Sequence, residues 1–240
     1  MQSFLNKYSF STLITTLTVA VTAPAQALII NGGFETGDFT GWQTIGDSSI
    51  ETNAFGTGPT EGTFQALVTT DFGSNSDRAI ENFLNLSNGT LDNLSTTNAT
   101  QGSAISQTFD VTAGQTLSFR WNFLTDEFTP TVFNDMAFVS LAGVGQKLAD
   151  TNSTFVLSSV SSFNEETGFA TFSKTFDTSE TIKLGIGVLD VLDSAVDSGL
   201  LIDEVTLTPK NIDPKPVPEP LSILGSLTAL VFGAVMKKKS

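Results

Sequence analysis

The chain has 240 residues, a formal net charge of −14, and neither cysteine nor histidine. Without these two residue types, disulfide bonds and Ser-His-Asp or Cys-His catalysis are excluded, and a zinc site loses its usual ligands. The excess of 25 acidic over 11 basic residues disfavours nucleic acid as a partner and favours cations.

The N-terminal segment has the pattern of a secretory signal peptide. Lys7 precedes an apolar stretch over residues 10–21, and the small residues Ala25 and Ala27 follow it. This pattern predicts export through the Sec machinery and cleavage of residues 1–27, so that the mature chain begins at Leu28. The alternative is an uncleaved anchor, which the serines and threonines within the apolar stretch disfavour.

A short helix is predicted as an insertion in the first half of the chain. Asp77 is suited to cap it, Ile80, Phe83 and Leu84 form an apolar stripe, and Gly89 is suited to end it. We expect this helix to cover a sheet edge or an open end of the domain.

The rest of residues 28–208 is predicted to be one all-β domain. From Thr116 onwards, apolar and polar residues alternate with the period of a half-buried strand. Runs of this kind cover residues 104–111, 116–123, 136–141, 170–176, 182–188 and 200–207. Several short strands separated by turn residues indicate an antiparallel β-sandwich.

Both ends of this domain resemble those of a galactose-binding-like jelly roll. The resemblance rests on residues 31–35 (Asn-Gly-Gly-Phe-Glu), 41–42 (Gly-Trp) and 201–205 (Leu-Ile-Asp-Glu-Val). The family includes many carbohydrate-binding modules, and its first and last strands often share a structural calcium. The resemblance therefore implies a jelly-roll-like sandwich with Glu35 and Asp203 as calcium ligands.

The strand parity of Asp203 gives an independent argument. Asp203 has the parity of Leu201 and Val205, which predicts that its side chain points inward. A buried lone carboxylate is costly unless it is paired or binds a metal, and a cation shared with Glu35 would satisfy both acids. The alternatives are a bulge that turns Asp203 outward, or neutralisation by backbone amides or Arg120.

A second resemblance covers residues 117–143 and 189–198, which are similar to the choice-of-anchor modules of exported bacterial surface proteins. Such modules are attached to varied anchors and are generally thought to be adhesive or structural. The resemblance implies that kind of role for this domain.

Acidic and amide residues are concentrated in the same two stretches. Asp126, Glu127, Asn134 and Asp135 lie in the first, and Asp190, Asp193 and Asp197 lie in the second. Calcium takes several hard oxygen ligands in flexible geometry, so the two loops predict a calcium site if they meet in space. The glycine-centred EF-hand pattern is missing. The alternative is that these residues cap turns or face solvent.

Catalysis is not predicted. A glycoside hydrolase needs two opposed carboxylates, and although Glu127 is the best single candidate, no hydrolase motif accompanies it. For sugar binding, Trp42 and Trp121 are the available tryptophans, and their contexts favour packing over a binding surface.

The C-terminal segment resembles the PEP-CTERM sorting signal of Gram-negative bacteria. A proline-rich spacer over residues 209–220 ends in Pro218, Glu219 and Pro220, and an apolar run followed by three lysines completes residues 221–240. The resemblance implies transient anchoring by a C-terminal membrane helix and processing by an exosortase-type enzyme. An ordinary anchor that is never cut is the alternative.

Together these patterns predict an exported, calcium-stabilised protein of the cell surface or extracellular matrix with a structural or adhesive role. The alternative function is that of a non-catalytic carbohydrate-binding module for envelope or matrix polysaccharide. A carboxylate-dependent glycosidase is the third reading.

Overall fold

A computed structural model of the protein describes residues 29–128, 130–157 and 160–209. The predicted signal peptide, the Pro-Glu-Pro motif and the apolar C-terminal run lie outside these residues. Within the described ranges, none of the helices is both long and apolar enough to cross a bilayer.

The described residues form an antiparallel β-sandwich, as predicted, with two short α-helices where the sequence predicted one. The strands are β1 (Gln43–Ile45), β2 (Asp47–Glu51), β3 (Gln65–Thr69), β4 (Asn75–Ser76), β5 (Ala99–Val111), β6 (Thr116–Thr125), β7 (Met136–Leu141), β8 (Val144–Asp150), β9 (Val156–Leu157), β10 (Glu165–Glu166), β11 (Ala170–Thr175), β12 (Glu180–Val191) and β13 (Ser198–Thr208). The helices are α1 (Asp77–Leu84) and α2 (Thr90–Ser95), and a single 3-10 turn covers Asn53–Phe55.

The strand order is that of a jelly roll. Sheet I runs β1-β5-β12-β7-β8, with β4 also paired to β5, and sheet II runs β2-β3-β13-β6-β10-β9, with β11 also paired to β6. The four principal strands of sheet I therefore lie in the order β5-β12-β7-β8, and those of sheet II in the order β3-β13-β6-β11. This is the order produced by two Greek keys. This arrangement confirms the predicted sandwich.

The six strands predicted from alternation are all present, within a few residues of their predicted bounds. Their inward side chains, including Phe119, Phe123 and Ile186, fill the space between the sheets. Trp121 is half-buried against this core and Trp42 is 7% exposed within it. Both tryptophans therefore pack rather than present a surface, as predicted.

The helical insertion differs from the prediction in its caps and its position. Ser76, not Asp77, caps α1 through a hydrogen bond from the Ala79 amide, and Asn85 ends the helix in the left-handed conformation. Gly89 precedes a second helix instead of ending the first. Asp77 is the first helical residue, where its negative charge still complements the helix dipole.

The insertion covers the outer face of sheet I and not an edge or an end. Ile80 and Leu84 of α1 pack with Met136 and Phe138, whose neighbours in β7 point into the main core instead. A Cβ at Gly185 would lie 2.5 Å from a methyl carbon of Leu84, so glycine at this position lets the helix approach the sheet.

The N-terminal motif and the last strand lie side by side. The Val205 amide donates to the Gly32 carbonyl at 2.9 Å. The Trp42 indole donates to the Asn31 carbonyl at 3.1 Å, and its ring lies 5.5 Å from that of Phe34. The two ends singled out by the jelly-roll resemblance therefore form one packed unit.

Candidate functional site

The two acidic stretches of the sequence meet at one end of the sandwich. The first forms the β6–β7 loop and the second forms the end of β12 and the β12–β13 loop. The Asp126 amide donates to the Asp197 carbonyl at 3.0 Å, and the Val191 amide donates to Asp135 Oδ1 at the same distance. We call Glu127, Asp135, Asp190 and Asp193 the acidic end.

Asp135 is completely buried and has hydrogen-bond partners on both carboxylate oxygens. Besides the Val191 amide on Oδ1, the Ser198 hydroxyl donates to Oδ2 at 2.7 Å. Burial raises the pKa of Asp135 to about 8, and the nearby charges of Asp190 and Glu127 act in the same direction. The side chain of Asp135, directly before β7, thus bonds to the last residue of β12 and to the first residue of β13, so its main role is structural.

Asp190 is 1% exposed and only partly satisfied. Gln101 Nε2 donates to its Oδ2 at 3.1 Å, whereas Oδ1 accepts no hydrogen bond in the structure. Burial raises the pKa of Asp190 to about 7, with a contribution from the charges of Asp197 and Asp193. Hydrogen bonds from the side chains of Thr70 and Gln101 oppose this rise in the pKa, so the carboxylate of Asp190 is partly satisfied.

Glu127 and Asp193 also each have one buried carboxylate oxygen without a hydrogen-bond partner. Glu127 is 6% exposed, and its Oε1 is buried without a hydrogen-bond partner. Burial raises the pKa of Glu127, and the charge of Asp193 raises it further. Asp193 Oδ1 is likewise buried and unpartnered.

The other two predicted ligands of these loops have different surroundings. Asn134 donates to Asp150 Oδ2 and accepts from the Thr151 hydroxyl at 2.7 Å, so it belongs to the polar network at the end of β8. Asp197 lines a neighbouring pocket of about 330 Å³. Burial, followed by the charges of other acids around this pocket, raises the pKa of Asp197.

That neighbouring pocket contains two acids that the sequence analysis did not single out. They are Asp47 and Asp71, which line it together with Asp126 and Asp197. Asp47 begins β2 and Asp71 follows β3, so only the pairing of β2, β3 and β13 brings them to the acidic end. No local signal in the sequence marks them.

Glu35 and Asp203 lie at a separate place and hold the loop over residues 60–64. Asp203 Oδ2 accepts from the Thr60 amide and hydroxyl, both at 2.8 Å, and from the Glu61 amide at 3.1 Å. Glu35 Oε1 accepts from the amides of Thr63 and Phe64 at 2.9 and 3.0 Å.

The prediction that Asp203 shares a face with Val205 is wrong, although Asp203 is indeed 0% exposed. The pairing of β13 with β6 shifts register after Asp203, and Glu204 has φ of +52°. This bulge places Asp203 on the outer face with Leu201, while Val205 points into the main core. Backbone amides then satisfy the carboxylate, one of the alternatives left open by the sequence.

The metal predictions have a limited geometric basis. Among the described residues, no group of three or more acidic side chains is arranged to hold one metal ion. Asp203 already accepts four hydrogen bonds, so a calcium there would compete with the donors of the loop. The buried oxygens without a hydrogen-bond partner belong to Glu127, Asp190 and Asp193 at the acidic end and to Gln65, Ser106 and Ser140 elsewhere.

A surface pocket of about 370 Å³ lies directly against the acidic end. Glu127, Phe128, Leu157, Asn164 and Glu165 line it, and we call it the Phe128 pocket. The ring of Phe128 is 88% exposed and the side chain of Leu157 is 81% exposed. The pocket therefore combines exposed apolar surface with amide and carboxylate groups.

A second, more polar groove of about 490 Å³ lies on the outer face of sheet II. Ser118, Arg120, Thr171, Glu204 and Thr206 are among its lining residues. Arg120 donates to the Thr171 hydroxyl at 2.7 Å, and its guanidinium lies 6.0 Å from the centroid of the Phe169 ring. In this groove Arg120 is thus bonded to Thr171 and Ser118 to Thr206, and the aromatic residue of its lining, Phe119, is buried.

No protein-family model and no curated protein matches the chain. Similar solved structures include TmCBM61 in complex with β-1,4-galactotriose, with 14% identity, coverage of 77% of this chain and 99% of that one, and a TM-score of 0.43. TmCBM27, a carbohydrate-binding module that recognises mannan, has 11% identity, coverage of 78% and 97%, and a TM-score of 0.37. The CBM22-1 xylan-binding domain of Paenibacillus barcinonensis Xyn10C has 11% identity, coverage of 80% and 99%, and a TM-score of 0.34. With likenesses this distant, the function has to be argued from the side chains of the chain itself.

Proposed function

We propose that this domain is a non-catalytic module that binds polysaccharide in the Phe128 pocket. The observation that carries the proposal is the exposed aromatic ring beside polar groups that can recognise hydroxyls. The sequence further supports a location outside the cytoplasm, at the cell surface or in the extracellular matrix, through the predicted signal peptide and the resemblance of the tail to a PEP-CTERM signal.

The chemistry of the pocket suits a sugar ring. The C–H face of a pyranose can stack on the exposed ring of Phe128. This contact removes apolar surface of the ring from water at little conformational cost. Leu157 extends the apolar surface, and Asn164 offers an amide that can both donate to and accept from sugar hydroxyls. A few polar groups beside an apolar surface are what fixes the orientation of a bound small molecule.

Binding without catalysis fits Glu127 better than a role as a hydrolytic acid. Its side chain is 6% exposed, one of its carboxylate oxygens is buried without a partner, and the charge of Asp193 adds to the rise of its pKa caused by burial. A glycosidase instead requires two carboxyl groups that flank the scissile bond in an open cleft. We therefore assign the pocket a binding role. The same proposal includes processing of the C-terminal segment by an exosortase-type enzyme and display of the domain on the proline-rich spacer.

The test is retention of the full chain, purified in a mild detergent, in native gels containing soluble galactan, mannan or xylan. The wild-type chain should be retarded by at least one of these polymers, and Phe128→Ala and Asn164→Ala should migrate as in a gel without polymer. Phe72→Ala is the matched control, because Phe72 is 99% exposed and does not line the pocket.

Retention that persists in both pocket variants would contradict the proposed site. Absence of retention on every polymer would contradict polysaccharide binding and favour the structural or adhesive role predicted from the sequence. Hydrolysis of a polymer that is lost in Glu127→Gln would show an enzyme instead.

A further inference from the structure

The core of the sandwich is open along one of its two sides. Among the described strands, β8 pairs only with β7 and β11 pairs only with β6, so both are edge strands. The opposite side is closed, because β1 and β2 are joined through Gly46 alone and lead the chain from sheet I to sheet II. On the open side lies a pocket of about 320 Å³, which we call the seam pocket, and its apolar lining includes Val139, Leu141, Val144, Phe172, Phe176 and Ile182.

Buried side chains of the main core form the floor of the seam pocket. Val139, Phe172, Phe176 and Ile182 are each at most 8% exposed. Phe172 stacks on Phe119 with the ring centroids 4.9 Å apart, so this part of the floor is already formed. The volume lies at the lower end of the range of about 300–1,000 Å³ that is usual for small-molecule pockets. It therefore suits one apolar chain or ring.

Polar side chains from both edge strands reach the rim of the seam pocket. Gln146 of β8 pairs with Val139, and Lys174 of β11 pairs with Leu117. Val139 and Leu117 both belong to the main core, and directly paired residues lie on the same face of a sheet. Gln146 and Lys174 thus project from the inner faces of opposite sheets. Val144, two residues before Gln146, is 70% exposed, so the pocket opens to solvent between them.

Among the described residues, Lys174 is the basic side chain without a partner. The other four each have one: Arg78 bonds to Asn88, Arg120 to Thr171, Lys147 to Asp150, and Lys183 to the Phe83 carbonyl. The acid that lines the same pocket, Glu180, accepts a hydrogen bond from the Thr178 hydroxyl at 3.1 Å. The unpaired charge at the rim is therefore positive and complements an anionic group.

We propose that the seam pocket binds a single-chain amphiphile with a carboxylate head, that is, a medium-chain fatty acid. The Lys174 ammonium supplies a charge-assisted hydrogen bond to the carboxylate, and the Gln146 amide donates to it from the facing strand. The chain lies on the apolar floor, where its burial removes apolar surface from water. An apolar pocket with a few polar groups at its rim fixes the orientation of such a ligand.

This site is separate from the Phe128 pocket and does not depend on polysaccharide binding. Lys174 pairs with Leu117 near the start of β6, whereas Phe128 follows the end of the same strand. The two pockets share no lining residue. Fatty-acid binding can be measured without any saccharide, so the two proposals fail independently.

The experiment is calorimetric titration of octanoate into the full chain, held in an amphipathic polymer without detergent. Detergent is avoided because its monomers would compete for an apolar pocket. We expect one saturable site per chain, about tenfold weaker binding of octanol, and still weaker binding of octyltrimethylammonium. Bound octanoate should also slow the reductive methylation of Lys174, read by mass spectrometry, and leave the methylation of Lys147 unchanged.

Three variants separate the contribution of the charge from that of the apolar surface. Lys174→Gln should weaken octanoate binding about tenfold or more and leave octanol binding unchanged, because only the carboxylate loses a partner. Val144→Asn removes exposed apolar surface and should weaken both ligands. Lys147→Gln is the matched control, since Lys147 lies on β8 but pairs with Phe138, which belongs to the cluster under the helices. It should bind octanoate like the wild type.

Absence of saturable octanoate binding would overturn the proposal. Octanoate affinity that is equal in Lys174→Gln and the wild type would place the ligand outside the seam pocket and would overturn it too. Binding of octyltrimethylammonium that is as tight as that of octanoate would show that Glu180 sets the charge preference, and would contradict the carboxylate head. Lys174 and Val144 are exposed, so both variants should keep the thermal midpoint of the wild type in the absence of ligand.

Discussion

Glu35 and Asp203 hold opposite ends of the same short loop. Asp203 accepts the amides of Thr60 and Glu61, and Glu35 accepts the amides of Thr63 and Phe64. The acids come from the N-terminal motif and the last strand, so this loop joins the first and last parts of the domain. Both carboxylates thus have a structural role that needs no bound metal.

The Asp203→Asn substitution should therefore destabilise the chain even without calcium. An amide cannot accept on its nitrogen, so donors now bonded to one oxygen of Asp203 would lose their acceptor in a buried place. We expect a loss of about 2 to 4 kcal/mol in the free energy of unfolding, measured by urea denaturation in chelator. Glu35→Gln should cost far less, because Glu35 is exposed. Equal effects of the two variants would contradict this account.

Gly32 is expected to be the most restrictive position of the N-terminal motif. A Cβ there would lie 1.9 Å from the Val205 carbonyl oxygen, a backbone atom that cannot move away cheaply. Gly32→Ala should lower the free energy of unfolding by about 2 to 3 kcal/mol. Gly33→Ala is the matched control, since its nearest neighbours would lie at 3.7 and 3.8 Å. A Gly33 variant as unstable as the Gly32 variant would show that the motif is limited by flexibility instead.

The longer strands could be read from the sequence because each has one face towards the main core. β3 was not predicted because it is buried on both sides, with Ala66 and Val68 in the main core and Leu67 in a second apolar cluster. A short strand without alternation has no periodic signal. The second helix was missed because the donors at its start are satisfied by Glu81, ten residues before Leu91.

The candidate site was predictable in part for a similar reason. The β6–β7 loop, which carries Glu127, and the end of β12, which carries Asp190, are each acidic in sequence, and their meeting follows once β6, β7, β12 and β13 are placed. The orientation of Asp203 was not predictable, because it depends on a bulge at Glu204, a residue type without any special preference for positive φ. The exposure of Phe128 depends on loop conformation, which no periodicity encodes.

Glu81 should be essential for the helical insertion. It is 1% exposed and accepts hydrogen bonds from the amides of Gly89 and Leu91. These bonds fix the turn between α1 and α2. Glu81→Ala leaves both amides without an acceptor and should cost about 3 kcal/mol in the free energy of unfolding. Hydrogen exchange at the Leu91 amide should accelerate in this variant and remain slow in Asn82→Ala, which alters an exposed residue of the same helix. Slow exchange in both variants would contradict the capping role.

The stability of the calcium-free chain should fall as the pH rises towards 9. The pKa of Asp135 is about 8 in the folded state and 3.8 in its ordinary surroundings. Between these values the folded state binds more protons than the unfolded state, so the free energy of unfolding decreases with increasing pH. The stabilisation is fully present below about pH 4 and is lost as the pH passes 8. Thermal midpoints in chelator should therefore be higher at pH 5.5 than at pH 8.5.

Asp135→Asn should reduce this pH dependence. The amide keeps an oxygen for the Val191 amide and presents a nitrogen that can donate to the Ser198 hydroxyl. It therefore imitates the protonated acid, and the variant should match the wild type at pH 5.5 and exceed its thermal midpoint at pH 8.5. Asp177→Asn, which removes an exposed acid, should keep the wild-type difference between the two pH values. A variant at Asp135 that is less stable than the wild type at pH 8.5 would show that the ionised carboxylate, and not its protonated form, stabilises the fold.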